Sequence, residues 1–389
     1  MRKGAALLLL SLPLAACTYT RREAERPAPL PFQTVILPYP MYGADDGFSI
    51  NLNAGLKRGA NRLPPPISEA ITVSGTLAQS GTRGVALAWD APGRWPAWRF
   101  YVQGSAQRFR RAPYFGIGND VPVNDSLERL YGSRYYRYEL LRTGLLGIVE
   151  RRLAPHVRLH VGGQLRHYRT RALSVNSAFA QDITVGTVTD GSASGAEVRA
   201  GLLFDTRQEE ATPTQGLFLE TMVAQSVRGA DYRRYLLSAR EFIALGEWDQ
   251  YVIALRQTGE FASGSLPYYI AYERLTTWYP EDGFGGPTSI RLYNTGRFLA
   301  NNRSVFSADL RYKLLDAPYP TSPVRVWLLA FGDVGRLWNP GQNPDLTDLH
   351  WASGVGGRIQ VSKGTLIGID VGLNDQDGLA FAIGTSFGF

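Results

Sequence analysis

"SVFSADLRYKLL", residues 304–315, alternates with a period of two. Phe306, Leu310, Tyr312 and Leu314 share one face; Ser307, Asp309, Arg311 and Lys313 share the other. That spacing is the signature of a strand. The polar face carries full charges, so it must meet water or a charged lumen. Two other stretches repeat the pattern. In "AWRFYVQGSAQ" (97–107), Trp98, Phe100, Val102 and Ala106 oppose Arg99, Gln103, Ser105 and Gln107, with Tyr101 on the polar side. In "QYVIALRQTGEF" (250–261), Tyr251, Ile253, Leu255 and Phe261 oppose Gln250, Arg256, Thr258 and Glu260.

These segments are long. Soluble strands are commonly about 5 to 6 residues, whereas a tilted membrane strand needs about 9 to 11. The alternation predicts strands at 33–42, 47–57, 68–79, 83–91, 96–110, 134–151, 156–170, 194–206, 216–227, 232–245, 249–262, 304–315, 323–335, 350–361, 364–373 and 378–389. That makes about 16 strands, an even number as single-chain bacterial barrels have. With strands alternating up and down, the long connections 111–133, 171–193, 263–303 and 336–349 all fall on one side. Short turns fall on the other. The fold class is therefore all-β: a transmembrane antiparallel β-barrel over residues 33–389, with both termini periplasmic. A soluble sandwich or propeller would not need long strands with a lone polar face, and no blade-length repeat is present.

The N-terminus fits export. "MRKGAALLLLSLPLAACTYT" begins with Arg2 and Lys3, and its apolar run is too short to span a bilayer. Residues 1–16 read as a signal peptide. Leu14-Ala15-Ala16-Cys17 resembles a lipobox, which makes Cys17 the expected lipidation site and the new N-terminus; the alternative is ordinary cleavage after Ala16. Residues 17–32 are polar and Pro-rich and read as a periplasmic tether. Cys17 is the only cysteine, so no disulfide is expected. Loss of Arg2 and Lys3 removes two of the formal charges from +7, and the remaining excess does not imply nucleic acid.

The second half resembles the BamA/TamA superfamily of outer-membrane barrels. "LLFDTRQEEATPTQGLFLE" (202–220) is similar to that family's strand–turn–strand, with Asp205, Arg207, Pro213 and Gly216 at the periplasmic turn positions. "GGPTSIRLYNTGRF" (285–298) resembles its sixth extracellular loop, through Gly285, Gly286, Ile290, Arg291 and Tyr293. Leu292 stands where the family has glycine, so the loop tip is expected to take a different shape. "SADLRYKL" and "WLLAFGDVGRLW" resemble the next two strands, and Gly384, Phe387 and Phe389 resemble the C-terminal barrel signal. "RAPYFGIGND" (111–120) matches a family loop more loosely. No POTRA domain is recognised in the chain.

The resemblance implies that the sixth loop folds back into the barrel and that Arg291 pairs with acids of the lumen wall. The strand phase supplies those acids. Asp309 lies on the charged face of its strand, and Asp333 lies with Arg325 opposite Val324, Val326, Leu328 and Val334. Asn294 and Gly296 supply a tight turn for re-entry. Arg297 has the same charge but lies outside the motif, which makes it the comparison for Arg291.

Enzyme chemistry finds no support. There is no Gly-x-Ser-x-Gly elbow. His156 and His160 would sit roughly 13 Å apart along one strand, too far to share a metal. "GVGGR" (354–358) lies in a strand pattern and opens no helix. Tyr135, Tyr136, Tyr268 and Tyr269 suit interfacial girdles. No metal or cofactor is expected. The expected role is to assist insertion or translocation of a polypeptide or lipid at the outer membrane. It would use a weak seam between the first and last strands, with the loop arginine setting the lumen. The alternatives are a passive pore and, behind it, a membrane-embedded enzyme. Expected partners are outer-membrane lipid and lipopolysaccharide, together with a separate periplasmic protein or the barrel-assembly machinery.

Overall fold

A computed structural model of the chain describes residues 31–43, 47–59, 67–210, 212–278, 281–317, 324–362 and 365–384. The signal peptide, Cys17, most of the tether, Phe387 and Phe389 lie outside the described residues.

The barrel wall consists of β1 (Phe32–Gly43), β2 (Gly47–Gly59), β3 (Ile67–Ala78), β4 (Arg83–Ala91), β5 (Trp98–Pro113), β6 (Arg137–Ala154), β7 (Val157–Ala172), β8 (Gly191–Asp205), β9 (Gly216–Arg228), β10 (Tyr232–Leu245) and β11 (Tyr251–Gly264), then β14 (Asn302–Ala317), β15 (Val324–Trp338), β16 (His350–Ser362), β17 (Thr365–Asn374) and β18 (Gly378–Gly384). Two short strands between β11 and β14, β12 (Glu273–Arg274) and β13 (Glu281–Asp282), pair only with each other. Helices α1 (Asp125–Tyr131), α2 (Ala178–Thr184) and α3 (Tyr268–Ala271) sit in the connections.

All 16 wall strands join one sheet in sequence order, and every pairing is antiparallel between chain neighbours. β18 comes back beside β1, with no ladder between them among the described residues. The expected strands are all present, with their described boundaries within a few residues of those read from the sequence; the end of the last one, 385–389, lies outside the described residues. Long connections gather at one end (the loop end) and short turns at the other (the turn end).

β14 shows why this sequence makes this wall. Phe306 and Leu310 are exposed on the outer face, whereas Ser307, Asp309 and Arg311 are buried on the inner one. A soluble protein would bury the first pair and solvate the second. Here the apolar residues face lipid and the charges face a lumen. Leu328, Val355, Ile369 and Phe381 continue the outer apolar surface along β15 to β18. Buried charges demand partners, and those partners organise everything inside the barrel.

Glycines in β16 and β17 make room for one such pair. Arg358 and Asp370 face each other across β16 and β17, joined by two 2.8 Å hydrogen bonds. A Cβ on Gly356 of β16 would lie 2.1 Å from Asp370 Oδ1, and one on Gly368 of β17 would lie 2.3 Å from the Arg358 side chain. The "GVGGR" stretch thus packs a lumenal ion pair.

Candidate functional site

The connection between β11 and β14 starts in the loop cap and runs on against the inner face of the wall, where Arg291 fixes its second half. The Arg291 Nε donates to Asp333 Oδ2 and Nη2 to Asp333 Oδ1, both at 2.7 Å. Its backbone N–H also donates to Asp333 Oδ2, at 2.9 Å. Nη2 reaches Asp309 Oδ1 as well, at 2.8 Å. The guanidinium lies 4.0 Å from the centre of the Phe331 ring, a cation–π contact. Arg291, Asp309 and Asp333 are 1%, 2% and 3% exposed, so this clamp works away from bulk solvent. Arg311 supports Asp309 from the neighbouring inward position, with Nε and Nη2 at 3.1 and 3.0 Å from Oδ2. Burial disfavours the Arg291 charge, but Asp309 and Asp333 outweigh it and raise the guanidinium above its ordinary value. The three residues read from the sequence are therefore together, on β14, β15 and the loop.

The rest of the motif shapes the loop. Ile290 is fully buried and packs in a cluster with Phe284, Phe298 and Phe331. A Cβ on Gly285 (φ +100°) would lie 2.4 Å from the Asn294 carbonyl oxygen, so only glycine lets the two limbs of the loop meet there. Gly286 packs likewise against Thr295. Asn294 and Gly296 do form the turn, with the Arg297 amide donating to the Asn294 carbonyl at 3.0 Å. Leu292 departs from expectation. It does not avoid the glycine conformation but adopts it, at φ +68°. Its side chain is buried, and its carbonyl accepts from Asn374 Nδ2 at 2.8 Å, which holds the strained residue in place. The Tyr293 hydroxyl donates to Asp375, between β17 and β18.

A second lumenal element was not legible in the sequence. β12 and β13 pair with each other, and residues 273–278 run along the inner face of the wall. Glu273 accepts from Arg142 (3.3 Å) and from the Tyr168 hydroxyl (2.7 Å), and pairs with Arg166 at 2.9 Å. Its backbone carbonyl accepts from Arg234 and Arg303, at 2.6 and 2.7 Å. Glu260 accepts from the Leu275 amide, and Glu220 from the Thr277 amide. Arg99 lies 4.4 Å over the Trp278 ring. The wall from β5 to β11 and β14 thus grips the hairpin, while β14 and β15 grip Arg291. A clue existed in Glu260 on the charged face of its strand, but no local pattern points it at residue 275.

The turn motif is also ordered. Arg207 makes a forked pair with Asp205, Nε to Oδ1 at 2.9 Å and Nη2 to Oδ2 at 3.0 Å, and lies over Phe218 at 4.3 Å. Pro213 is buried. Gly216 has φ +109°, and a Cβ there would lie 2.6 Å from the Thr206 carbonyl oxygen. Between these anchors the turn crosses the mouth of the barrel. Glu210 pairs with Arg99 of β5 at 3.1 Å, and Glu209 with Arg325 of β15 at 3.4 Å. Thr212 reaches Gln360 of β16.

Two expectations need correction. Arg297 is buried, not an ordinary loop cation. It donates to Gln376 Oε1 and the Val121 carbonyl, at 3.0 and 2.7 Å, and stacks on Phe115 and Phe298. Tyr135, Tyr136 and Tyr268 are buried within the loop cap rather than set in an outer girdle. Tyr136 stacks on Phe115, and Tyr268 packs with Tyr114, Tyr138 and Phe179. Tyr269, half-buried, packs against Tyr168. Gly384 ends β18, and the aromatic residues of the C-terminal signal lie beyond the described residues.

Comparison with known proteins places this geometry. Residues 69–387 match the model of the Omp85 superfamily domain. BamA from Haemophilus ducreyi lacking POTRA domains 1–3 superposes with a TM-score of 0.58 at 14% identity, over 90% of this chain and 69% of that one. CdiB from Escherichia coli gives 0.56 at 13% identity, and CdiB from Acinetobacter baumannii 0.50 at 14%. Each covers 91% of this chain, and the chain spans 66% of each CdiB. No curated protein matches the sequence. With the family model covering most of the barrel and the same barrel recurring in these structures, the chain belongs to the Omp85 superfamily and is a bacterial outer-membrane β-barrel.

Proposed function

We propose that this barrel assists insertion or translocation of a polypeptide or lipid at the outer membrane, without enzymatic chemistry. The observation that carries the reading is the loop clamped within the lumen by Arg291, Asp309 and Asp333. A protein segment tied to the wall by buried ion pairs narrows the lumen, which a wide conduit does not require. A barrel that acts on its surroundings through its wall gains from it, because such a plug fixes the wall's shape from inside. β18 lies beside β1, and in this reading the junction of the first and last strands is the working edge. The likeness to BamA and CdiB favours the same class of role. In this reading the turn end faces the periplasm, Cys17 carries lipid at that membrane face, and a separate periplasmic protein or the assembly machinery delivers the cargo.

The test compares two measurements. Depletion of the protein in its own bacterium should lower the surface level of a specific polypeptide or lipid, and the purified barrel in liposomes should pass little small solute. Normal surface composition on depletion, with graded solute flux through the purified barrel, would establish the passive-pore alternative instead.

A further inference from the structure

Where four segments of the loop end meet, one histidine bridges two groups that can only accept hydrogen bonds. His350, the first residue of β16, places Nδ1 at 3.0 Å from Asp375 Oδ2 and Nε2 at 2.9 Å from the Asn119 carbonyl oxygen. Asn119 belongs to the connection between β5 and β6; Asp375 belongs to the turn between β17 and β18. Phe298 of the lumenal loop stacks on the imidazole at 3.9 Å. A neutral imidazole has one N–H and one lone pair. Whichever tautomer it chose, one nitrogen lone pair would face an acceptor oxygen at hydrogen-bond distance. Two N–H donors satisfy both contacts, and only the imidazolium has two.

We propose that His350 is a protonation-dependent clasp that joins the β5–β6 connection to the β17–β18 turn over the lumenal loop, closing the loop end when the ring carries both protons. Asp375 is suited to the charged partner. Its Oδ1 already accepts from the Trp351 amide at 2.9 Å and from the Tyr293 hydroxyl. Burial disfavours its charge, but these donors and His350 hold the carboxyl below its usual range. The other charged or titratable residues on the segments that meet there are Tyr293 and Arg297 of the lumenal loop, Asp377 beside Asp375, Asp120 beside Asn119, and Asp348 ahead of β16; the Tyr293 ring lies 6.2 Å from the imidazole. Asn119 ties the junction further, donating to the Asp348 carbonyl at 2.8 Å and accepting from the Leu337 amide at 2.9 Å. Loss of the second proton thus breaks one of two bonds at a point shared by three loop-end connections and the lumenal loop.

The sign follows from which form is bound. The clasp is complete only while the ring carries two N–H donors, so it holds toward acid and weakens toward alkali. Hydrogen exchange of the purified barrel, corrected for intrinsic rates, measures this. Protection at 119–121, 293–298 and 375–377 should be about ten-fold greater near pH 5 than near pH 8, with the 229–231 turn as an unaffected reference. His350→Phe keeps the ring stack without any N–H and should abolish the pH dependence. Asp375→Asn should reduce it, which keeps the test available if the first variant does not fold. Nitrogen-15 spectra of the unmodified protein should show His350 with two N–H groups wherever protection is high and with one wherever it is low. Unchanged protection in the unmodified protein, a pH response that survives in His350→Phe, or one protonation state throughout would each overturn the proposal.

Discussion

Arg291 donates to both carboxylate oxygens of Asp333 through Nε and Nη2, each at 2.7 Å, and this fork joins a loop in the lumen to the barrel wall. A forked pair fixes orientation as well as distance. Arg291→Ala leaves Asp309 and Asp333 buried without the cation between them, although Arg311 still serves Asp309. The expected loss is about 3–5 kcal/mol. Arg291→Ala with Asp333→Asn should recover part of it by removing one orphaned charge, and Arg291→Lys should recover less than the parent because lysine cannot fork. Arg297 is buried and cannot serve as a control; exposed Arg134 can. The temperature at which the folded band disappears on an unboiled gel reads all five proteins. Equal midpoints for Arg291→Ala and Arg134→Ala would remove the clamp from the account.

Leu292 offers a test of strain. Its φ of +68° is one that an L side chain resists by about 1–2 kcal/mol. Both Leu292→Ala and Leu292→Gly delete a buried side chain, and each should destabilise the barrel by about 2–5 kcal/mol. Glycine alone escapes the strain. Leu292→Gly should therefore be more stable than Leu292→Ala by about 1 kcal/mol, the reverse of the order in an ordinary strand. Urea midpoints of the two variants decide it; an alanine variant equal to or above the glycine variant would mean that Leu292 is not strained.

The clamp was legible from two sources. Asp309 and Asp333 announce their side of the wall through period-two alternation, whereas the re-entry of the loop and the pairing of Arg291 with those acids came from the resemblance of residues 285–298 to a family loop. The strands were legible through the same alternation, since lipid and lumen impose opposite chemistry on successive residues. The Glu273 hairpin was not. Its two strands are too short for periodicity, and its partners, from Arg99 to Arg303, are spread over wall strands from β5 to β14. Arg297 and Tyr268 were misplaced because burial inside a loop cap depends on other loops, and no local pattern encodes that. Leu292 shows the remaining kind of miss: packing held a residue in a conformation its own side chain opposes.

The Asp375 carboxyl sets an acid limit on the loop-end junction. A carboxylate held below its usual range contributes stability above that range and loses it as pH falls through the lowered value. Junction protection should therefore persist down to about pH 4 and then fall. Asp375→Asn should be weaker at neutral pH and show no such acid limb. Hydrogen exchange at Trp351, whose amide donates to Asp375, reports it directly. An acid limb of equal size in Asp375→Asn would assign the effect to another carboxylate.

The turn between β8 and β9 should span the turn-end mouth in solution. Glu210 meets Arg99 on one wall, Glu209 meets Arg325 on the other, and Thr212 Oγ1 lies 3.5 Å from Gln360 Oε1. The ion pairs are partly exposed, so Glu210→Gln alone should cost less than about 1 kcal/mol. Position is the sharper observable. In a Cys17→Ser background, cysteines at Thr212 and Gln360 should be joined in high yield by a short bis-maleimide, giving one internally linked chain that runs differently after boiling. A matched pair at Thr212 and Thr347 places the second cysteine in the exposed β15–β16 connection at the opposite end and should stay unlinked. Gly216→Ala should lower the yield for the first pair, because the new Cβ collides with the Thr206 carbonyl and the anchor formed by Asp205 and Arg207 must shift. Similar yields for both pairs would mean that the turn hangs free of the mouth. A high yield for Thr212 with Gln360 that Gly216→Ala leaves untouched would keep the strap but move its anchor away from the motif.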